Sequence, residues 1–414
     1  MPIKWKNKKN LNPDVVLNKI KNIATVQKDG KVSFPGFEYI ELMPAIYSMI
    51  DFNRKMDWSI KKEIISSGIK NSIRKNIVTR EGVIKELNNQ LKEINRKKEE
   101  IFFFLTTISI KQPLPIKTLD ILNCNIRIFL GSYPKKYESR RKYEDNWRFN
   151  FKHTPSDYSK IIVKCKAQLP KEAVRKSLEA LDLFRSILCL YANSRQEITY
   201  GTDARSPINK IRLGGLHTLH KKDGKNAVDY FWYEPNFSLA KPYCISNANY
   251  KLFNKNIKWA IKQLSKSKYK TEIQDGLLRY VRALDENDAN TAAIKLWGAL
   301  ESIAASGGNN YELVTRRCAF LFKDNIFHKQ MLEHLREYRN NNIHAGEEFE
   351  EARTCCYQMQ YYFYRIVVFH LYYADFFSNL DEANYFLDMP SDSKLLERRK
   401  TLIEEAIKFT SPVA

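Results

Sequence analysis

Residues 101–110, IFFFLTTISI, form an apolar run rich in aromatic and β-branched side chains. Side chains of these types pack well on a pleated sheet, so the run predicts a buried strand. Apolar and polar residues alternate in LDILNCNIRIFLG, 119–131, and in YSKIIVKCKAQ, 158–168. This alternation is typical of strands. The three stretches predict a sheet in the middle of the chain.

A helix and a hairpin complete the predicted middle region. KEAVRKSLEALDLFRSILCLYANS, 171–194, has the apolar spacing of an amphipathic helix. RLGGLHTLHKKDGKNAVDYFWYE, 212–234, predicts a hairpin that turns at Asp223-Gly224. Residues 101–248 are therefore expected to form a mixed α+β domain.

The segments before and after this region have helical periodicity. Residues 81–100 predict a charged amphipathic helix, and helical patterns return from residue 249 to the end. Asn287 or Asp288 is the expected cap of a helix over 285–306. We predict an α+β fold with three domains. They are a basic N-terminal helical region at 1–100, the mixed domain at 101–248, and an antiparallel helical bundle at 249–414.

Composition limits the class of protein. Hydrophobic residues make up 43% of 414 residues, which suffices for packed cores. The seven cysteines include no C-x-x-C pair, which argues against a disulfide framework or a zinc knuckle. The sequence shows neither a signal peptide nor a run of about 20 apolar residues. We expect a cytoplasmic protein without a membrane span.

The charge is strongly basic and unevenly distributed. The formal net charge is +22, which favours a polyanionic partner such as RNA, although the bias of an AT-rich genome explains a lysine-rich chain equally well. Residues 285–414 contain 14 Lys and Arg against 20 Asp and Glu. The first 284 residues contain the remaining 55 and 27, a net of +28. Electrostatic contact with a nucleic acid is expected from the first part of the chain.

One polar stretch in the acidic part stands out: REYRNNNIHAGEEFEE, residues 336–351. An imidazole can act as acid or base at cytosolic pH, and a guanidinium can stabilise the charge on a phosphorane. Arg339 and His344 could therefore cleave RNA without a metal. One chain supplies one imidazole, so two copies around a two-fold axis would supply the base and the acid.

The five-residue spacing of this pair has a geometric consequence. On a continuous helix the two positions are about 140° apart. Asparagine favours helix ends, so the sequence predicts unwinding at 340–342 that returns His344 towards Arg339. Glu347, Glu348, Glu350 and Glu351 are expected to open the next helix, where carboxylates suit the helix dipole.

The stretch resembles the HEPN domains, in particular the Apea-like subgroup, over roughly residues 285–375. The Arg-x4-His signature reads Arg339-Asn340-Asn341-Asn342-Ile343-His344. It follows AAIKLWGALESIAAS and ELVTRRCAFLF and precedes a long aromatic-rich helix, an order similar to that of the subgroup. The resemblance implies a dimeric, metal-independent endoribonuclease of the kind found in toxin and anti-phage systems, without a cofactor.

The resemblance also implies roles for individual residues. Arg339 and His344 become the catalytic pair, and Asn340 an orienting donor. Glu301 matches an acidic position of an earlier helix, although it reads equally as an ordinary half-exposed helix glutamate. Arg316 and Arg317 match a basic position that could contact RNA, and they could equally pair with surface carboxylates such as Glu312.

A second candidate for RNA contact is the basic segment, residues 132–153, in which basic and aromatic residues alternate. The side chains expected to bind phosphate are Lys135, Lys136, Arg140, Arg141 and Arg148, with tyrosines and Trp147 available for stacking. The competing interpretation is a solvated strand–loop–strand. His217 and His220 have a spacing that could bind a metal on a helix, but the predicted hairpin argues against it.

The sequence leaves three functions open. The first is an active ribonuclease that acts as a homodimer. The second is a catalytically inactive HEPN scaffold that binds RNA or a partner protein. In the third, the N-terminal part recognises a ligand or a neutralising or sensing protein, and the bundle stays inactive until then.

Overall fold

The chain has a mixed α+β fold with a C-terminal helical region. The computed structural model describes residues 3–52, 56–111, 114, 116–150, 155, 157–193, 196–197, 206–305, 312–345 and 351–410. At 146–150 and 342–345 the description covers the backbone and not the side chains.

The N-terminal part is helical, with two small ladders. The helices are α1 Pro13–Ile23, α2 Glu38–Met49, α3 Trp58–Arg74 and α4 Arg80–Arg96. The ladders pair β1 Lys4–Trp5 with β4 Ile50–Asp51 and β2 Thr25–Val26 with β3 Val32–Ser33. Asn12, Asp57 and Thr79 cap three of the helices with their side chains. A hydrophobic cluster between residues 3 and 94 forms the core of this part.

A six-stranded antiparallel sheet lies in the middle of the chain, in the order β10–β9–β5–β8–β7–β6. Its strands are β5 Glu100–Ile108, β6 Thr118–Ile121, β7 Cys124–Phe129, β8 Ser159–Ala167, β9 Leu216–His220 and β10 Trp232–Tyr233. The strand predicted over 101–110 is confirmed as the central β5, where Phe104 pairs with Val163 on one side and Leu219 on the other.

The two faces of the sheet are covered by different elements. The long helix α6 Pro170–Ala192 packs on one face and shares its core with Phe104 and Ile161. A 3-10 helix, Lys135–Arg140, and α5 Arg141–Asn150 follow β7. Tyr137 of the 3-10 helix packs on Leu105 and Ile162 at the other face.

The predicted hairpin over 212–234 is confirmed. β9 pairs with β10, and the turn between them includes Gly224 with a φ of 89°. Gly224 donates its backbone N–H to the Lys221 carbonyl, and Asp223 accepts from the Lys225 N–H. His217 and His220 therefore lie on a strand rather than on a helix.

The C-terminal region is helical, as predicted. Its helices are α7 Asn247–Lys266, α8 Lys270–Leu284, α9 Ala289–Ala304, α10 Glu312–Phe320, α11 Asn325–Ala345, α12 Ala352–Tyr372, α13 Leu380–Leu387 and α14 Ser393–Thr410. Asp288 is the N-cap of α9 and accepts from the Thr291 N–H. One hydrophobic cluster runs from the sheet through α6 into α7–α13, across the predicted domain boundary at 248.

Candidate active site at the end of α11

Three of the four predicted catalytic residues meet where α11 crosses the last turn of α9. Arg339 Nη2 lies 3.9 Å from Glu301 Oε1, and the two side chains are 17% and 26% exposed. Arg339 Nη1 donates a hydrogen bond to Asn340 Oδ1 over 3.1 Å. The distance to Glu301 exceeds a hydrogen bond, so this carboxylate acts on the guanidinium through its charge.

Glu301 is held from a second side by Trp297, which is not among the predicted site residues. The indole Nε1 donates to Glu301 Oε1 over 2.7 Å, and the Trp297 ring is fully buried in α9. The i, i+4 spacing of the two residues places them on the same face of the helix. That spacing was the available signal, since a buried indole N–H requires an acceptor. Trp297, Glu301, Arg339 and Asn340 form what we call the Arg339 cluster.

The expected unwinding of α11 is wrong. The helix continues through Asn340–Asn342 to Ala345, the last described residue of this stretch. Leu332, Leu335 and Tyr338 are buried in successive turns, and Tyr338 donates to Asn290 Oδ1 over 2.5 Å. Propensity is a weak preference that tertiary packing overrides, which explains why three asparagines remain helical.

The continuous helix separates positions 339 and 344 by about 140° around its axis. The side chain of His344 and residues 346–350, including Glu347, Glu348 and Glu350, lie outside the described residues. Glu351 is the residue before α12, at its N-cap position. Positions 339 and 344 therefore do not lie on one face of α11. A reaction that uses both side chains needs groups from outside this helix.

Arg316 and Arg317 of α10 both bind Asp388, the C-cap residue of α13. Arg317 donates to both oxygens of Asp388 over 2.8 and 2.7 Å, and to the Ala304 carbonyl over 2.5 Å. Arg316 donates to Asp388 Oδ1 over 2.7 Å. Burial would raise the pKa of Asp388, but the hydrogen bonds from both arginines lower it. Arg317 is buried and fixes α10 to α13, which corrects its assignment to RNA contact.

Residues 135–150 of the basic segment are helical, so its described part is not a strand–loop–strand, and Arg140 is buried in it. The guanidinium of Arg140 donates to the carbonyls of Leu105 and Leu216, to Thr218 Oγ1 and to Glu144. Arg140 thus ties the 3-10 helix to strands β5 and β9. Its expected contact with RNA is wrong, because burial removes it from the surface.

The tyrosines of the basic segment are also anchors. Tyr133 donates to the Thr106 carbonyl, Tyr143 donates to the Val228 carbonyl over 3.0 Å, and Tyr137 packs in the sheet-face cluster. Burial raises the pKa of Tyr133 and of Tyr137 to about 12. These rings contribute to packing and do not form a surface on which bases could stack.

Three of the five side chains expected to bind phosphate lie at the surface, and Lys142 of the same segment is also exposed. Lys135 and Lys136 are exposed, and Lys136 Nζ lies 4.9 Å from the centre of the Phe103 ring. Arg141 is 75% exposed and pairs with Glu138 over 3.0 Å. The side chain of Arg148 lies outside the described residues. The basic surface is therefore narrower than the sequence predicts.

His217 and His220 have structural partners. His217 Nδ1 lies 2.8 Å from Thr106 Oγ1, and His220 bonds to the Gly224 carbonyl and to Thr218. Burial lowers the pKa of both, for His220 to about 4. The described part of the chain contains no group of three or more His, Cys, Asp or Glu arranged around a metal position.

Comparison with known protein families, with curated proteins and with solved structures found no match to this chain. Within the described residues, no helix combines the length and hydropathy that crossing a bilayer needs.

Proposed function

We propose that this protein is a metal-independent endoribonuclease of the HEPN type that acts as a homodimer in the cytoplasm, in a toxin or anti-phage setting. The observation that carries the proposal is the Arg339 cluster. Its members come from two helices, and they place the Arg339 guanidinium beside Glu301 and Asn340. Asn340 and Glu301 orient the guanidinium, and Trp297 orients Glu301.

The reaction follows from these groups and from His344. An imidazole removes the proton of the ribose 2′-OH, the 2′-oxygen bonds to phosphorus, and the bond to the 5′-oxygen breaks. A second imidazole, from His344 of the partner subunit, protonates the leaving 5′-oxygen. Arg339 stabilises the negative charge of the phosphorane between the two proton transfers. The products are a 2′,3′-cyclic phosphate and a 5′-hydroxyl.

The continuous α11 helix is the observation that favours the alternative, an inactive HEPN scaffold. Positions about 140° apart on one helix do not share one face. The dimer proposal accommodates this spacing because two copies contribute to each reaction centre. A scaffold would bind RNA or a partner protein and leave the phosphodiester intact.

The test is cleavage of labelled RNA by the full chain in the presence of EDTA. Arg339→Ala and His344→Ala are each expected to lower the rate by about 100-fold or more. His334→Ala, at an exposed position of the same helix, is the matched control and should cleave at the normal rate. A requirement for a divalent metal, or full activity in both variants, removes the proposal. RNA binding without cleavage by the unmodified chain supports the scaffold.

A further inference from the structure

The C-terminal helix α14 presents an apolar face to solvent. All of its residues, Ser393–Thr410, are described, and none is buried. Leu395, Leu402, Ile403 and Phe409 are 55%, 52%, 56% and 92% exposed. A helix of this length gains most of its stability from packing such a face, so the face predicts a partner.

The apolar positions have the spacing of a coiled-coil seam. Leu395, Leu402 and Phe409 are seven residues apart, and Arg399 and Ala406 occupy the intervening seam positions. Leu396 and Ile403 extend the apolar face along one side of the seam. Arg398 and Glu405, also seven residues apart, lie along the other side. The helix is therefore apolar on one flank and carries one positive and one negative charge on the other.

This charge arrangement is self-complementary in one orientation. When two α14 helices pair antiparallel, Leu395 faces Ala406 of the partner subunit, and Arg399 faces Leu402 of the partner subunit. The same alignment leaves Arg398 offset by about 3 Å along the axis from Glu405 of the partner subunit, within reach of an arginine side chain. The two-fold axis creates this ion pair twice.

A parallel pair of the same helices lacks these contacts. It would place Arg399 against Arg399 of the partner subunit in the seam and Arg398 beside Ile403 of the partner subunit. The like charges in the seam and the missing Arg398–Glu405 ion pair both oppose parallel pairing. The sequence of the helix thus specifies its own antiparallel copy.

We propose that α14 is a self-association element in which two copies of the chain pair antiparallel through this apolar face. Within each helix, Glu405 also forms an exposed ion pair with Lys408 at 2.8 Å. This pair does not prevent the contact with Arg398, because an exposed ion pair contributes little free energy. The inference does not depend on nuclease activity, since it rests on α14 alone.

The test is the dimer dissociation constant of the full chain, measured by sedimentation velocity over a range of concentrations. Leu402→Glu should raise this dissociation constant, because it abolishes the α14 contact. Arg398→Glu and Glu405→Arg should each weaken the dimer by about tenfold, because each creates two like-charge contacts. The double variant should restore the dissociation constant of the unmodified chain. Lys400→Glu, off the seam and outside the ion pair, is the matched control and should leave it unchanged.

Two results would overturn the inference. The first is a monomer at every concentration, whether α14 is then covered by its own chain or by a lipid surface. The second is a dimer that Leu402→Glu and both single charge reversals leave unaffected. A Leu402→Glu variant that dimerises more weakly but still cleaves RNA supports the inference and leaves the proposed nuclease intact.

Discussion

Arg185 and Asp285 form a two-point ion pair inside the core, with nitrogen–oxygen distances of 2.8 and 2.6 Å. The pair joins α6, which packs on the sheet, to the end of α8 in the helical region. Asp182 accepts from Arg185 over 2.8 Å and also pairs with Arg282. Arg282 in turn reaches Glu234 beside strand β10. This series of ion pairs thus connects the sheet to the helical region.

The first prediction is that Arg185→Met destabilises the fold by about 3–5 kcal/mol, because the buried Asp285 loses its ion-pair partner and Asp182 retains only Arg282. Burial would lower the pKa of Arg185, but the charges of Asp285 and Asp182 raise it, so the buried guanidinium stays charged. Urea denaturation measures the loss. Arg185→Met combined with Asp285→Asn should cost less than the sum of the two single variants. Strict additivity would contradict the coupling.

The second prediction concerns pH and His370. His370 is fully buried on α12 beside the Tyr269 hydroxyl, 3.1 Å from its Nδ1, and burial lowers its pKa to about 3. The imidazole of an unfolded chain has a pKa near 6.5. Between these values the unfolded state binds a proton that the folded state does not. Stability is therefore lost as the pH falls below about 6.5, by up to about 1.4 kcal/mol per pH unit for this histidine.

His370→Gln should reduce that dependence, because an amide can keep the contact with Tyr269 and does not titrate. Denaturation at about pH 7, 6 and 5 should show a slope lower by about one proton. His334→Gln, at an exposed position, is the control and should retain the slope of the unmodified chain. An unchanged slope in His370→Gln would show that other groups control the acid response.

The sequence predicts elements best where burial and periodicity agree. β5 and α6 fit that condition because their side chains face a continuous core. The predicted strand over 119–131 is two strands, β6 and β7, joined at Leu122-Asn123 with φ of 48° and 59°. A leucine at a left-handed turn position carries no turn signal, so the division was not predictable from composition.

The candidate site also contains some residues that the sequence indicates and some contacts that it does not. The resemblance implies Arg339, Asn340 and Glu301 as site residues. Asp388 lies 71 residues from Arg317, so no local pattern indicates that it takes both arginines. The helical form of the basic segment was missed because Tyr137 and Arg140 obtain their partners from strands distant in sequence. Propensity alone also failed at Asn340–Asn342, where packing earlier in α11 determines the backbone.

The third prediction tests how the Arg339 cluster is oriented. Glu301→Gln removes the charge near Arg339 and retains a hydrogen-bond acceptor for Trp297. We expect the cleavage rate to fall by about tenfold with little loss of stability, because the Arg339 guanidinium loses the negative charge that orients it. Trp297→Phe should lower stability as well as activity, since the indole is buried. The comparison uses cleavage rates and melting temperatures of the same preparations. Equal rates for Glu301→Gln and the unmodified chain would show that Glu301 does not position Arg339.

The fourth prediction separates surface charge from buried charge in the basic segment. Replacing Lys135, Lys136 and Arg141 with alanine should weaken RNA binding. It should also reduce the slope of log affinity against log salt by about 2 for a single strand, since three phosphate contacts are lost. Fluorescence anisotropy with a 2′-O-methyl RNA, which cannot be cleaved, measures this slope. Melting temperature should change little, because all three residues are exposed.

Arg140→Gln should behave in the opposite way. Its guanidinium bonds to β5 and β9, so its loss leaves buried acceptors without donors and should cost about 2 kcal/mol or more of stability. The salt slope of the folded variant should equal that of the unmodified chain, because Arg140 does not reach the surface. The opposite result would be a salt slope lower by about one with unchanged stability. It would show that Arg140 contacts RNA phosphate and is not buried when RNA binds.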